Sequence, residues 1–185
     1  MKLFVTLFAL TLGLAVTSVS AQMKGDNPMV GGAAMYKTKN IVENAVNSKD
    51  HTTLVAAVQA AGLVDTLKGA GPFTVFAPVN SAFEALPAGT VDTLLKPENK
   101  AMLTGVLTYH VVAGNMDSKA IAKAIKTGKG KATLDTVAGG KQTAMMVGSD
   151  LILMDEKGGK SKVTIADVRQ SNGVIHVVDS VLLPM

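Results

Sequence analysis

From Ile41 onward the apolar positions recur at helical spacing. Ile41, Val42, Ala45 and Val46 share one face, and Leu54, Val55 and Val58 share a face of the next segment before Gly62, a helix stop. Two short helices are predicted there. Residues 73–77 form a compact apolar run between Gly71-Pro72 and Pro78, the pattern of a buried strand. A helix is predicted next, capped by Asn80 or Ser81, with Ser81 and Glu84 spaced as a capping box and Ala82, Phe83 and Leu86 facing the core. Pro97 suits the first residue of another helix, which carries Met102, Leu103 and Val106 inward. The β-branched content of residues 108–112 then predicts a strand. Ser118 is placed as the cap of a lysine-bearing helix. Beyond Gly128, turn signals at Gly139-Gly140, Gly148-Ser149-Asp150, Gly158-Gly159 and Asn172-Gly173 divide the chain into strands, the last pair supplying the positive φ angles of a tight hairpin. Helices first and hairpins last give an α+β domain, in which the strand at Phe73 pairs with strands far along the chain.

The N-terminus changes the picture. Lys2 precedes an apolar run from Leu3 to Val16, followed by small polar residues, with Val19 and Ala21 three and one before a cut that leaves Gln22 first. Residues 1–21 therefore read as a signal peptide, and the run falls short of the ~20 residues a membrane helix needs. No stable membrane span is expected after cleavage, and the location is periplasmic or secreted. Residues 22–36, rich in Met, Gly and Pro, read as an irregular arm, and 37–185 as a single domain. A chain of this length buries enough surface to fold without staples, in keeping with its lack of cysteine. The net charge of +4, two tyrosines and no tryptophan provide neither the stacking platforms nor the phosphate clamps of a nucleic-acid binder.

Catalytic signatures are missing: no Gly-x-Ser-x-Gly elbow, no His-Glu-x-x-His, no phosphate-cradling loop and no cysteine nucleophile. His51, His110 and His176 lack metal-ligand spacing, so no metal and no cofactor is expected. Lys119, Lys123, Lys126, Lys129 and Lys131 run without an intervening acid, a pattern that reads as a solvated face or a contact for anionic polysaccharide or lipid headgroups. Met145, Met146 and Met154 fill apolar gaps or adaptable surfaces.

Two segments and a dipeptide reach a family. Gly71 to Pro87 reads GPFTVFAPVNSAFEALP, Asn172 to Pro184 reads NGVIHVVDSVLLP, and Tyr109-His110 stands between them. In this order and spacing they resemble the end blocks and central motif of a fasciclin domain, over about residues 39–184. The resemblance implies a wedge of mainly antiparallel β-strands flanked by a layer of short helices. It further implies a non-catalytic binding module for cell adhesion or surface and matrix contact, with a cell-surface or envelope protein or polysaccharide as partner. In that reading Phe73, Phe76, Asn80, Phe83, Gly173 and His176 are structural. Tyr109 and His110 are expected in a strand, one pointing to the core and the other toward solvent or the helical layer; Tyr109 is the first contact candidate, His110 is either a contact or a tie to neighbouring backbone through a ring hydrogen bond, and Asp167, Val168 and Asn172 are further contact candidates. Val79 stands where the family usually has threonine. Only Asp167 and Val168 remain of the acidic-proline stretch some animal members use, so integrin-type recognition does not transfer. The alternative function is carriage of an apolar small molecule such as a carotenoid or lipid, held between helices and sheet.

Overall fold

The computed structural model describes residues 27–185, so the expected signal peptide lies outside the described residues. The elements run β1 (Met29–Val30), β2 (Ala33–Ala34), α1 (Ile41–Ala45), a 3-10 turn (Lys49–His51), α2 (Thr52–Ala61), α3 (Val64–Lys68), β3 (Phe73–Pro78), α4 (Asn80–Glu84) and α5 (Thr90–Leu94). A second 3-10 turn (Pro97–Asn99) leads into α6 (Lys100–Tyr109), β4 (Val111–Ala113), α7 (Ser118–Thr127), β5 (Lys131–Asp135), β6 (Lys141–Val147), β7 (Asp150–Met154), β8 (Lys160–Gln170) and β9 (Gly173–Val178). This is the α+β arrangement the pattern predicts.

Strands β3 to β9 form one sheet in the order β4-β3-β9-β8-β7-β6-β5. Only β3 and β9 run parallel. The sheet curls until its edges meet, through a bridge between Val112 and Thr136 and a bond from the Val137 N–H to the Val111 carbonyl at 2.8 Å. The parallel pair is the partition of the molecule. Val75, Ala77, Ile175 and Val177 face a first core under α1, α2, α3, α5 and α6. Phe76 and Val178 face a second, enclosed by α7 and the inner sides of β5, β6 and β7. A strand buried on both faces reads as a continuous apolar run, which is why β3 was legible in the sequence.

Several expectations need correction. Residues 108–112 are not a strand: α6 continues through Tyr109, and β4 begins only at Val111. Burial of Leu103, Val106 and Leu107 holds the helix against the β-branched preference of Thr108, whose hydroxyl donates back to the Thr104 carbonyl at 2.7 Å. Met102 falls outside that buried stripe and is 61% exposed, and Val46, just past α1, is exposed too. The Ser81 capping box does not form. Instead Asn80 reaches across to α2, its Oδ1 accepting from the Thr53 N–H at 3.1 Å and its Nδ2 donating to the Lys49 carbonyl at 2.8 Å. The capping box present is Asn40 with Glu43, and α7 is capped by Asp117, not Ser118. The arm is not wholly irregular: β1 and β2 pair as a hairpin, and Val30 and Met35 enter the first core.

Candidate functional site

The Tyr109-His110 pair closes α6 and turns neither ring outward. Tyr109 is fully buried, its hydroxyl donating to the Lys141 carbonyl at 2.7 Å, and burial pushes the phenol up to about 12. His110 Nδ1 meets the Val106 carbonyl at 2.8 Å, and Nε2 accepts from the Leu182 N–H at 3.0 Å. The ring is thus a neutral tie between α6 and the C-terminal segment, and burial lowers its pKa from the imidazole value. Neither ring faces solvent, so neither is a surface contact, and His110 makes the backbone ties that its structural reading expects.

Asn172 is equally inward. Its Oδ1 accepts from the Ile41 N–H at 3.0 Å while its Nδ2 donates to the carbonyls of Leu67 (2.7 Å) and Gly69 (2.9 Å), tying α1 and α3 to the β8–β9 turn. The expected Asn172-Gly173 turn is displaced by one residue. Gln170 pairs with Gly173, so Ser171 and Asn172 form the loop, and neither Asn172 nor Gly173 has positive φ. Gly173 is required for space: a Cβ there would lie 2.0 Å from the Phe73 carbonyl oxygen. Phe76 stacks on His176 with centroids 5.6 Å apart, and Phe83 is buried in the first core.

A polar corner forms where β8 meets the start of α7. Irregular pairing between Ile165 and Val168 lifts Asp167 into positive φ (61°), while Val168 turns fully into the core. The Asp167 carboxylate accepts from the Ser118 N–H at 2.6 Å and from the Ser118 hydroxyl. Burial pushes this carboxyl up, but the Ser118 bonds, with His176 and Arg169 nearby, outweigh it and hold it below its ordinary value. Arg169 pairs with Asp117 at 2.9 Å on the exposed side. His176 donates from Nε2 to the Met116 carbonyl at 2.9 Å, and burial lowers its pKa. Asp117, Ser118 and Arg169 were missed because their partners lie 49 and 52 residues away, and no local pattern marks them.

Two further features frame what the fold can contact. The outer side of β5 to β8 carries the cross-strand row Lys131, Met145, Ile152 and Lys162, beside the row Thr133, Thr143, Met154 and Lys160. Met145, Ile152 and Met154 stay half-buried there, and the lysines of α7 lie exposed beside β5. Inside, between the first helices and the partition, runs an apolar crevice of about 70 Å³ lined by residues including Val58, Leu67, Val75, Ile175 and His51. His51 is buried against Ser48, Nδ1 to Oγ 2.8 Å; burial lowers its pKa, opposed by the Ala77 carbonyl and Asp50.

The comparisons agree with this geometry. The model of the Fasciclin domain matches residues 49–184. Protein sll1483 of Synechocystis is 42% identical over 98% of this chain and 94% of its own length. The Immunogenic protein MPB70 of Mycobacterium bovis is 37% identical over 76% of this chain and 66% of its own. The Cell surface glycolipoprotein MPB83 of the same species is 35% identical over 89% and 70%. A solved FAS1 domain pair from the insect cell adhesion molecule Fasciclin I superposes with a TM-score of 0.70 at 17% identity; the match covers 78% of this chain and about half of that one (51%), a likeness of fold. The chain belongs to the fasciclin domain family.

Proposed function

We propose that this fasciclin domain is exported behind residues 1–21 and acts as a non-catalytic binding module that attaches to an acidic envelope protein or polysaccharide. The observation that carries the reading is the outer sheet face: an apolar centre of Met145, Ile152 and Met154 rimmed by Lys131, Lys160 and Lys162, with Lys123 of α7 sharing a depression with Lys131 at the β5 edge. Of the sequence-derived contact candidates, Asp167 alone keeps partial exposure, and it joins the Asp117–Arg169 corner at the same end of α7. The closed sheet edge argues for a face rather than strand addition as the mode of contact. Retention of the mature protein on envelope fractions at low and high salt tests this. Lys123→Glu with Lys131→Glu and Lys162→Glu is expected to abolish salt-sensitive retention. Retention unchanged in the triple variant removes the face from the proposal, and no retention of the parent protein removes the function.

The crevice favours a second reading, carriage of an apolar molecule. Its volume restricts the cargo: a cavity of ~150 Å³ holds one benzene, so at about 70 Å³ neither a carotenoid nor an acyl lipid fits. Mass spectrometry of the protein isolated natively from its own host tests for such cargo.

A further inference from the structure

Strand register lays an apolar stripe on the outer side of the sheet. Side chains alternate faces along a strand, so the fully buried Ala144 and Leu153 put Met145 and Val147 of β6, and Ile152 and Met154 of β7, on the opposite side. Met145 stands directly across from Ile152, with Met154 one row further along and Val147 one row back. From the Val147 row to the Met154 row the stripe runs about 14 Å, at ~3.4 Å per residue. It is open to solvent: Val147 is 59% exposed and the other three are half-buried.

Charge borders the stripe on both flanks. Lys131 of β5 lies on one side and Lys160 and Lys162 of β8 lie on the other, with β6 and β7 between them. Three strand spacings of ~4.8 Å separate the two flanks by roughly 14 Å. Lys162 is already paired with Asp150 at 2.8 Å, and Lys141, past the end of the stripe, faces Asp135 at 4.0 Å. Among the described residues Lys131 and Lys160 have no acidic partner, so each flank keeps an uncompensated cation. Lys123 of α7 reinforces the Lys131 side, where the two line one depression.

These dimensions select an occupant. A gap of roughly 14 Å admits one α-helix, about 10–12 Å across with its side chains. A helix satisfies its own backbone groups, whereas an extended segment laid on the face of a sheet leaves its N–H and C=O groups unpaired. A polysaccharide fits poorly: these rows hold no aromatic ring for a sugar to stack on, and the aliphatic stripe would strip water from sugar hydroxyls without replacing the lost bonds. Two of the four stripe residues are methionines, whose flexible thioethers mould to an apolar partner.

We infer that the outer face of β5 to β8 is a docking surface for an acidic amphipathic helix of an envelope protein. About nine residues of that helix, at ~1.5 Å each, match the stripe. Its apolar side lies on Met145, Val147, Ile152 and Met154, and aspartates or glutamates on its two shoulders meet Lys131 and Lys160. This names the partner of the proposed binding face and rests on that reading.

The test is NMR titration of the mature protein with a synthetic peptide of about 14 residues, leucines at i, i+3, i+4 and i+7 flanked by glutamates, and with a scrambled isomer of the same composition. The amphipathic peptide is expected to bind in the micromolar range, about tenfold tighter than the scrambled one, and to shift the methyl groups of Met145, Val147, Ile152 and Met154. Val147→Glu, at a solvent-exposed position, should weaken it about tenfold through like-charge repulsion. Lys131→Gln with Lys160→Gln should weaken it about fivefold and remove most of its salt dependence. Equal binding of the two peptides, or shifts confined to other residues, overturns the inference. So does tighter binding of polygalacturonate or of phosphatidylglycerol vesicles at the same methyl groups, which would assign the face to a sugar polymer or a membrane. Salt-sensitive retention on envelope fractions by a protein that ignores the amphipathic peptide sinks the helix and leaves the binding face standing. Peptide binding by a protein that no envelope fraction retains keeps the helix-binding stripe and removes the envelope role.

Discussion

The two cores share the β3–β9 wall and fill very differently. On the second side Ile121, Ala144, Leu153, Val178 and Leu182 have no exposed surface, although Gln142 Oε1 has no hydrogen-bond partner among the described residues. On the first side the same wall borders a crevice and a half-satisfied histidine. The builders explain the contrast. Strands of seven and five residues, β6 and β7, pair in register and lay their inward side chains in regular rows. The first core is roofed by two ten-residue helices, α2 and α6, and by three of five residues, α1, α3 and α5, each a little over one turn and each giving one buried side chain to the core, Ile41, Leu67 and Leu94, too few ridges to interlock with the sheet. Regular long elements fill volume; short irregular ones leave it.

The largest perturbation strikes the shared wall. Gly173→Ala forces a methyl against the Phe73 carbonyl and is expected to cost more than about 3 kcal/mol in urea unfolding. A loss below about 1 kcal/mol would show that the wall yields more easily than the close approach suggests. Truncation then separates the two cores. Leu153→Ala should cost about 4 kcal/mol and Leu67→Ala about 2.5 kcal/mol, because a side chain already bordering empty space has fewer contacts to lose. Equal costs would erase the distinction.

Acid is a gentler probe. His51, His110 and His176 are all held below the ordinary imidazole value of 6.5 by burial, so the fold favours their neutral forms. Their contribution is fully present above that value and is lost as pH falls below it toward the folded-state values. Unfolding midpoints compared across that window should drop on acidification. His110→Gln should blunt the drop most, since protonation there sets a new N–H against the Leu182 N–H. His51→Phe should blunt it less, because among the described residues its Nε2 has no hydrogen bond to break. The reverse ranking would mean that desolvation alone governs all three. The smallest effect is a gain. Val75→Ile extends into the crevice and is expected to stabilise by about 0.5 kcal/mol, whereas the added methyls of Ala144→Val must destabilise a core with no room. Thermal melts of the pair would read both signs.

Contact residues were harder to read from the sequence than elements. Tyr109, His110, Val168 and Asn172 stand out in a family motif, yet each is turned inward and holds segments together, so the motif marks the scaffold. The lysine face of α7 was visible, because charges at helical spacing around buried Ile121 and Ile125 encode their own exposure. The outer row from Lys131 to Lys162 was not visible, because it exists only once three strand pairings set its register.

By itself the sequence determined the α+β order, the buried strand at Phe73, the helix stop at Gly62 and the turns at Gly139-Gly140, Gly148-Ser149 and Gly158-Gly159. Each depends on periodicity or on one residue's backbone freedom, which are properties of a few neighbours. The tertiary structure decided that Asn80 caps α2, that α6 runs on through Tyr109, that Asp167 meets Ser118, and that a crevice opens beside His51. Those outcomes depend on partners tens of residues away and on how many separate volumes add up, and local patterns of residues do not carry that sum.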